Sequence, residues 1–337
     1  MTNKFSVKQI AAQAGMSTAT VDRVLNNREG VRYQTRLRVN QAMAELEEQS
    51  GLIGQFGRTL YIDIIMQAPS RFTDSVRQAM LLAAASMAPC RIRPRFHLFE
   101  VISVIELNKL ILACEHNGSH GVVLKAPDES LINKSIEILS HAGVPVVTLV
   151  TDLPFSQRIA YIGMDNRAAG RTAAYLLGTY LQGQTLTVAV VLSSQTFRGE
   201  EEREMGFRAQ LREQFSALTL IDIPGGQGLY QQTYDLVRAQ LEQDDTIRAV
   251  YSIGGGNRAI LDAFSGLKRP IDFFIGHDLD QENRTLLMNK DIDFIIDHQL
   301  EEDARRAFSH ILQYQNVFPK ADIPGTQINV ITPFNLN

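Results

Sequence analysis

The residues between Ser17 and Arg36 have the types and spacing to read a DNA groove. Ser17, Thr18, Ala19, Thr20 and Arg23 belong to one short amphipathic stretch whose inward positions are Val21, Val24 and Leu25. Facing outward, Thr18 can hydrogen-bond a base edge or a phosphate, Ala19 can touch a thymine methyl, and the Arg23 fork can reach paired guanine acceptors. Arg28, Arg32 and Arg36 follow, placed to neutralise phosphates and add affinity without sequence choice. For any single arginine a solvated surface charge is an equally good reading. Asp22 shares the outward face and repels phosphate; it either accepts from a cytosine amine or orients Arg23.

A second set of polar residues lies far from the first. It comprises Ser70–Thr73 (with Phe72), Lys125, Asp152, Asp165, Arg203, Gly254–Gly256, Asp278 and Gln299. Each follows a short apolar run that reads as a strand. Carboxylates accept from hydroxyls, arginine donates in pairs, and an aromatic ring packs on a C–H face. The set therefore suits a neutral polyhydroxy ligand. One polar residue after a strand is ordinarily a turn or a cap, and Asp165 in MDNRAAG is also a credible helix N-cap. The repetition of the position is what carries the reading. GGGNRA formally fits Gly-x-Gly-x-x-Ala, with Asp278 beyond it, but it does not open a domain. The full dinucleotide signature is not met, so no cofactor is expected.

The elements that must position these residues are legible from periodicity. Ser6 and Gln9 form a capping-box pattern opening a helix with Val7, Ile10, Ala11 and Ala14 on one face. Gly15 stops it, Ser17 caps the next, and a third runs from about Thr35 with Val39, Met43 and Leu46 in a stripe. This is a helix-turn-helix pattern. From residue 60, strand candidates such as LYIDIIM, GVVLKA, TVAVVL and FFIGH alternate with helical stretches. Such alternation predicts parallel sheets covered on both faces. Some ten strands are many for one open sheet, so two doubly wound lobes with a cleft are expected, with ligand beyond the carboxyl ends of the strands.

Charge is divided in the same way. The 337 residues carry a net charge of -4, yet residues 1–44 stand at +5 and the remainder at -9. A basic head on an acidic body is the asymmetry of a nucleic-acid-binding module joined to something else. No apolar run reaches a membrane span and the first residues do not read as a secretory signal, so a cytoplasmic protein is expected. Cys90 and Cys114 read as core thiols. The seven histidines show no paired metal motif, and no nucleophile elbow or Ser/His/Asp order stands out; neither an enzyme nor a metal site is expected.

The stretch VKQIAAQAGMSTATVDRVLNNREGVRYQTRLRVNQAMAEL resembles the DNA-binding head of the lactose-repressor (LacI-type) family. The resemblance implies that Thr18, Ala19 and Arg23 read bases; Asp22 stands where that family has a small hydroxyl residue. The body, through PVVTLVTD, YIGMDNRAAGRTAA, EEREMGF and IGHD, is similar to the type I periplasmic-binding-protein fold used as a sensor in that family. Effector contacts at Asp165, Arg203 and Asp278 are implied, with a late-strand glutamine at Gln299, although His298 is adjacent. A frequent effector-binding asparagine falls near Gly255. The resemblance implies a homodimeric repressor that binds operator DNA and a sugar, a polyol or a derivative. A transport receptor for the same ligand is the alternative, and a nucleotide-dependent enzyme a remoter one. Expected domains are a small all-α head at 1–48, a glycine-containing linker at 49–58 and an α/β ligand-sensing and dimerisation domain at 59–337. The linker EEQSGLIGQFGRT lacks the family's proline and asparagine. Glycines at 51, 54 and 57 argue against a free hinge helix, leaving either a flexible tether or a minor-groove wedge at Leu52 or Ile53.

Overall fold

The computed structural model describes residues 5–28, 30–55 and 57–336, with residues 47–55 given by backbone alone. Lys4 and Glu29 of the charge count, and the side chains of Leu52 and Ile53, lie outside the described residues. The chain forms two compact units: Met1–Thr59 with Ala88–Arg91, and Leu60–Met87 with Ile92–Asn337.

The first unit is built from three helices, α1 (Val7–Ala14), α2 (Thr18–Leu25) and α3 (Tyr33–Gln55). The Ser6–Gln9 capping box is present at α1, and Gly15 ends that helix at φ 70°, a left-handed conformation that glycine adopts without steric cost. Ile10, Ala11, Ala14, Val21, Val24, Val39 and Ala42 form the core, with Val7, Leu25, Met43 and Leu46 packed against it. Arg38 ties α3 to α1 by donating to Glu45 at 3.0 Å and to the Gln13 carbonyl at 2.9 Å. The structure departs from the expected linker: α3 continues to Gln55 and takes in Gly51 and Gly54. Extending a helix already nucleated and packed adds a hydrogen bond for each residue fixed, so glycine's local cost of about 1 kcal/mol does not stop it.

The second unit holds two sheets. The first, ordered β2-β1-β3-β4-β5, uses β1 (Thr59–Gln67), β2 (Arg91–Phe99), β3 (Gly121–Lys125), β4 (Val146–Leu149) and β5 (Ala160–Ile162). Its helices are α4 (Ser70–Ser86), α5 (Val104–His116) and α6 (Ser130–His141). The second is ordered β11-β10-β9-β8-β6-β7. Its strands are β6 (Thr187–Val191), β7 (Thr219–Ile223), β8 (Ile247–Ser252), β9 (Phe273–His277), β10 (Phe294–Asp297) and β11 (Asn329–Ile331). α7 (Asn166–Tyr180) and α8 (Arg198–Gln214) cover one face of this sheet, while α9 (Tyr230–Gln243), α10 (Asn257–Gly266) and α11 (Gln281–Met288) cover the other. α12 (Leu300–Tyr314) returns to the first lobe and packs on α4. β11 runs antiparallel to β10, an edge exception to the parallel pattern. Cys114 is buried among α5, α6 and β3, and burial pushes its thiol up to about 12, as a core role requires.

The chain therefore crosses between lobes three times: after β5, after β10 and after α12. α7 and α8 meet at backbone contact. A Cβ on Gly170 would lie 1.9 Å from the Arg203 carbonyl oxygen, and one on Gly206 would lie 2.1 Å from that of Arg167. Gly206→Ala should lower the stability of the body by about 2–3 kcal/mol through overpacking, read as a shift in denaturation midpoint. Gly325→Ala, with no atom within 4 Å of the added Cβ, serves as the neutral control.

Candidate functional site

In the first unit, Ser17 caps α2: its hydroxyl accepts from the Thr20 amide at 3.2 Å and hydrogen-bonds the Thr20 hydroxyl at 2.8 Å. These two hydroxyls are thus engaged with each other, and Thr18, Ala19 and Arg23 are exposed on the helix with no side-chain partner among the described residues. Asp22 does not orient Arg23. It pairs with Arg28 at 3.3 Å and accepts from Asn26 at 2.8 Å, which removes its repulsion from the groove face. Arg32 is exposed; Arg36 is half-buried and its Nε is without a hydrogen-bond partner among the described residues.

In the second unit, the carboxyl ends of the strands converge on a cavity of about 250 Å³ between the lobes. The first lobe contributes Gln67, Pro69, Arg71 and Phe72 after β1, Glu100 after β2, Lys125 at the end of β3, and Thr151 after β4. The second contributes Ser193 and Phe197 after β6, Glu200 and Arg203 on α8, Ile253 and Gly254 after β8, and Asp278 after β9.

Arg203 is the centre of the polar wall and only 3% exposed. Its Nε donates to Asn166 Oδ1 at 2.8 Å, Nη1 to the Ile253 carbonyl at 3.2 Å, and Nη2 meets His298 Nε2 at 3.1 Å. A guanidinium only donates, so His298 Nε2 must accept and the ring proton sits on Nδ1. Nδ1 faces Asp303 Oδ2 at 3.6 Å, and Asp303 in turn accepts from Thr326 at 2.5 Å. Asn166 opens α7 after the first crossing, His298 lies in the second, and Thr326 lies in the third. Residues of all three crossings thus gather behind the cavity wall, although His298 Nδ1 and Asp303 Oδ2 face each other beyond hydrogen-bond distance and have no partner among the described residues.

Glu200 is held by the Ser193 and Ser194 amides, at 2.8 and 3.3 Å, and by the Ser193 hydroxyl. Asp278 is placed at φ 66°, and its Oδ1 is buried without a hydrogen-bond partner among the described residues. Lys125 donates to the Gln67 carbonyl at 3.0 Å and lies 3.9 Å from the Phe197 ring centroid. Burial pushes its pKa down to about 8, opposed by Glu200 and Asp278 and assisted by Arg203. Beside this wall, His277 receives the Tyr251 hydroxyl's contact at 2.9 Å, and burial holds its pKa well below the ordinary histidine value.

Of the residues expected from sequence, Phe72, Lys125, Arg203 and Asp278 line the cavity. Thr73, Asp152, Asp165, Gly255 and Gln299 do not, each because local structure claims it. The Thr73 hydroxyl donates to the Ser70 carbonyl. Burial raises the pKa of Asp152, but Arg158 and Thr148 outweigh it and hold the carboxyl below its usual range as an internal ion pair. Asp165 caps α7 through the Ala168 amide at 3.0 Å. Gln299 sits at the start of α12, and its neighbour His298 is the buried residue that reaches Arg203. Gly255 makes room for a side chain rather than for ligand, since its missing Cβ would lie 2.1 Å from Arg71 Nη2. Arg71, inside the expected Ser70–Thr73 stretch, also lines the cavity, whereas Glu200, Ser193 and Thr151 were missed; the last two are polar residues just beyond strand ends, the signal that found the others.

The described fold matches known ones. The family model "Bacterial regulatory proteins, lacI family" covers residues 6–47, and the model "Periplasmic binding protein domain" covers residues 108–316. Among solved structures, a glucose-galactose binding protein from Geobacillus stearothermophilus matches with a TM-score of 0.73 at 19% identity, covering 83% of this chain and 99% of that one. A solute-binding protein of an ABC transporter from Burkholderia graminis, solved with D-arabinose, gives 0.74 at 17% identity, with 83% and 97% covered. A candidate LacI transcriptional regulator from Bacteroides fragilis gives 0.73 at 15% identity, with 83% and 98% covered. Among curated proteins none matches the chain in sequence. Both family models describe regulator or binding-protein types, and no described helix is long and apolar enough to cross a membrane.

The second crossing carries a testable strain. Burial pushes the Asp297 carboxyl up to about 6, opposed by the Leu279 amide at 2.7 Å. A carboxyl with a raised folded pKa favours its protonated form, so ionising it costs stability as pH rises from about 4 through 6. Asp297→Asn keeps the Oδ1 acceptor. It should stabilise the body by about 2 kcal/mol at pH 7 and by little at pH 4, measured by denaturation at both values.

Proposed function

We propose, for a chain that belongs to the lacI family of bacterial regulatory proteins through its head and to the periplasmic binding protein domain family through its body, a cytoplasmic homodimeric repressor released or engaged by its effector. The chain is a DNA-binding transcription regulator with a sugar-binding type of sensor. The observation that carries the proposal is the pairing in one polypeptide of an exposed Thr18–Ala19–Arg23 reading face with a two-lobed polar cavity.

Two heads of a dimer would grip half-sites about one helical turn apart on a near-palindromic operator. Arg23 reads bases, Thr18 and Ala19 set the fit against neighbouring base edges, and Arg28, Arg32 and Arg36 contact phosphates. In the body, a polyhydroxy effector bridges the lobes. Its hydroxyls donate to Asp278 Oδ1, and Phe72 supplies an apolar wall. Arg203 bears on it as the rigid element that joins the cavity wall to the crossings. Effector and operator are then coupled through the lobe arrangement each prefers, and the sign follows from which arrangement the effector selects. No catalytic step is assigned. Gly254 abuts the Ser193 backbone and Gly255 abuts Arg71, so the glycine run is used for packing rather than for a phosphate.

Arg23→Ala should weaken operator binding by about 1–3 kcal/mol and relax base preference at one position. Arg32→Ala should weaken binding to all sequences alike and reduce the salt slope by about 1. Titration of labelled operator at several salt concentrations checks both, and an unchanged operator affinity for Arg23→Ala would sink the base-reading assignment.

A further inference from the structure

Most of the cavity's charged groups are already answered by the protein. Arg203 uses three of its five N–H groups, one on each nitrogen, on Asn166, Ile253 and His298. Glu200 accepts three donors from Ser193 and Ser194. Behind the cavity wall, Asp280, 5% exposed, takes the Asn283 amide at 2.7 Å and Arg71 Nε at 3.1 Å.

The Lys125 ammonium, the outer nitrogens of Arg71 and Asp278 Oδ1 are left over; Glu100, an exposed first-lobe carboxylate on the same cavity, takes one donor among the described residues, the Ser70 amide at 3.2 Å. Lys125 is 9% exposed and makes one hydrogen bond, to the Gln67 carbonyl; no described carboxylate lies within 4 Å of its nitrogen. A buried ammonium without a closely paired anion is costly, and Lys125 lines the cavity. Arg71 gives Nε to Asp280, while no described residue accepts from its Nη1 or Nη2. Both cations belong to the first lobe and flank the end of β1. In the second lobe, Asp278 Oδ1 is buried with no hydrogen-bond donor among the described residues, His298 Nε2 lying 4.0 Å away. A neutral polyol satisfies Asp278 but leaves Lys125 with the Phe197 ring face at 3.9 Å and only the more distant charges of Glu200 and Asp278. A carboxylate supplies acceptors only, and it matches a planar guanidinium fork.

We propose that the effector is a polyhydroxy carboxylic acid, of the aldonic or uronic kind, its carboxylate against Lys125 and Arg71 and its hydroxyls donating to Asp278. This rests on the reading of the cavity as an effector site and narrows the class of ligand. Burial holds the Lys125 pKa down to about 8, against Glu200 and Asp278 and with Arg203, while Arg71 and Glu100 line the same cavity; the anion therefore requires a proton that the free protein gives up above that pH. Affinity for the acid is therefore level below about pH 8 and falls by as much as about tenfold per unit above it.

The test is thermal shift followed by calorimetry on the full chain. The probes are D-gluconate, D-galactonate, D-glucuronate and D-galacturonate beside D-glucose, D-galactose and D-arabinose. The expected result is that at least one acid raises the melting temperature and binds about tenfold or more tighter than its neutral parent. Lys125→Met should erase that preference, and the pH profile of the unaltered protein gives the same information if that variant does not fold. Tighter binding of a neutral sugar would overturn the proposal while leaving the sugar-sensor reading intact. No shift with any of the acids would overturn the proposal outright, and operator release by a broader metabolite panel then tests the sensor reading separately. An acid affinity that stays level to pH 9.5 would also overturn it.

Discussion

Burying one guanidinium is the constraint that organises the body. Arg203 is nearly sealed from solvent, and a charge so placed must have each of its nitrogens answered or it costs several kcal/mol. The answers come from far apart in the chain: Asn166 at the start of α7, the end of β8, and His298 after β10. Satisfying Arg203 therefore requires α7, α8, both lobes' connections and the second sheet to be in place together. The glycine contact between α7 and α8 serves the same end. Without Gly170 and Gly206 the two helices could not approach closely enough for Nε to reach Asn166.

Around this fixed point the cavity divides by lobe. The second lobe presents groups whose hydrogen bonds are mostly spent, as at Glu200, and so makes a rigid wall. Much of the first lobe's capacity is uncommitted, at Lys125 and the outer nitrogens of Arg71. A ligand held between the two adds bonds chiefly on the first-lobe side. A ligand that touches both lobes can favour one arrangement of them over another only through such differential contacts.

The sequence was informative wherever the governing rule is local. Capping box, glycine stop and heptad-like spacing placed the three head helices and their core, because each depends on residues within one turn of one another. Strand and helix alternation gave the two-lobed body for the same reason. The site was half legible. Among the residues chosen by position after a strand, Phe72, Lys125 and Asp278 line the cavity, and so does Arg203, which reaches it from within α8. It overreached at Asp152 and Asp165, where a nearby arginine and a helix terminus satisfy the carboxylate first. It could not choose His298 over Gln299, since that depends on which of two neighbours turns inward after β10. α3 overran its expected end because propensity is a weak force once a helix is already packed.

The meeting of Arg71 with Gly255 has a bearing on where charge sits in the cavity. The guanidinium of one lobe fills the space where a side chain of the other would stand, at a backbone angle of φ 86° that glycine or asparagine tolerates best. Because the crowded atom is the far end of a flexible side chain, a larger residue at position 255 would displace the guanidinium rather than the backbone. Position 255 is thus a lever on where the Arg71 charge sits, reached from the opposite lobe without touching the arginine itself.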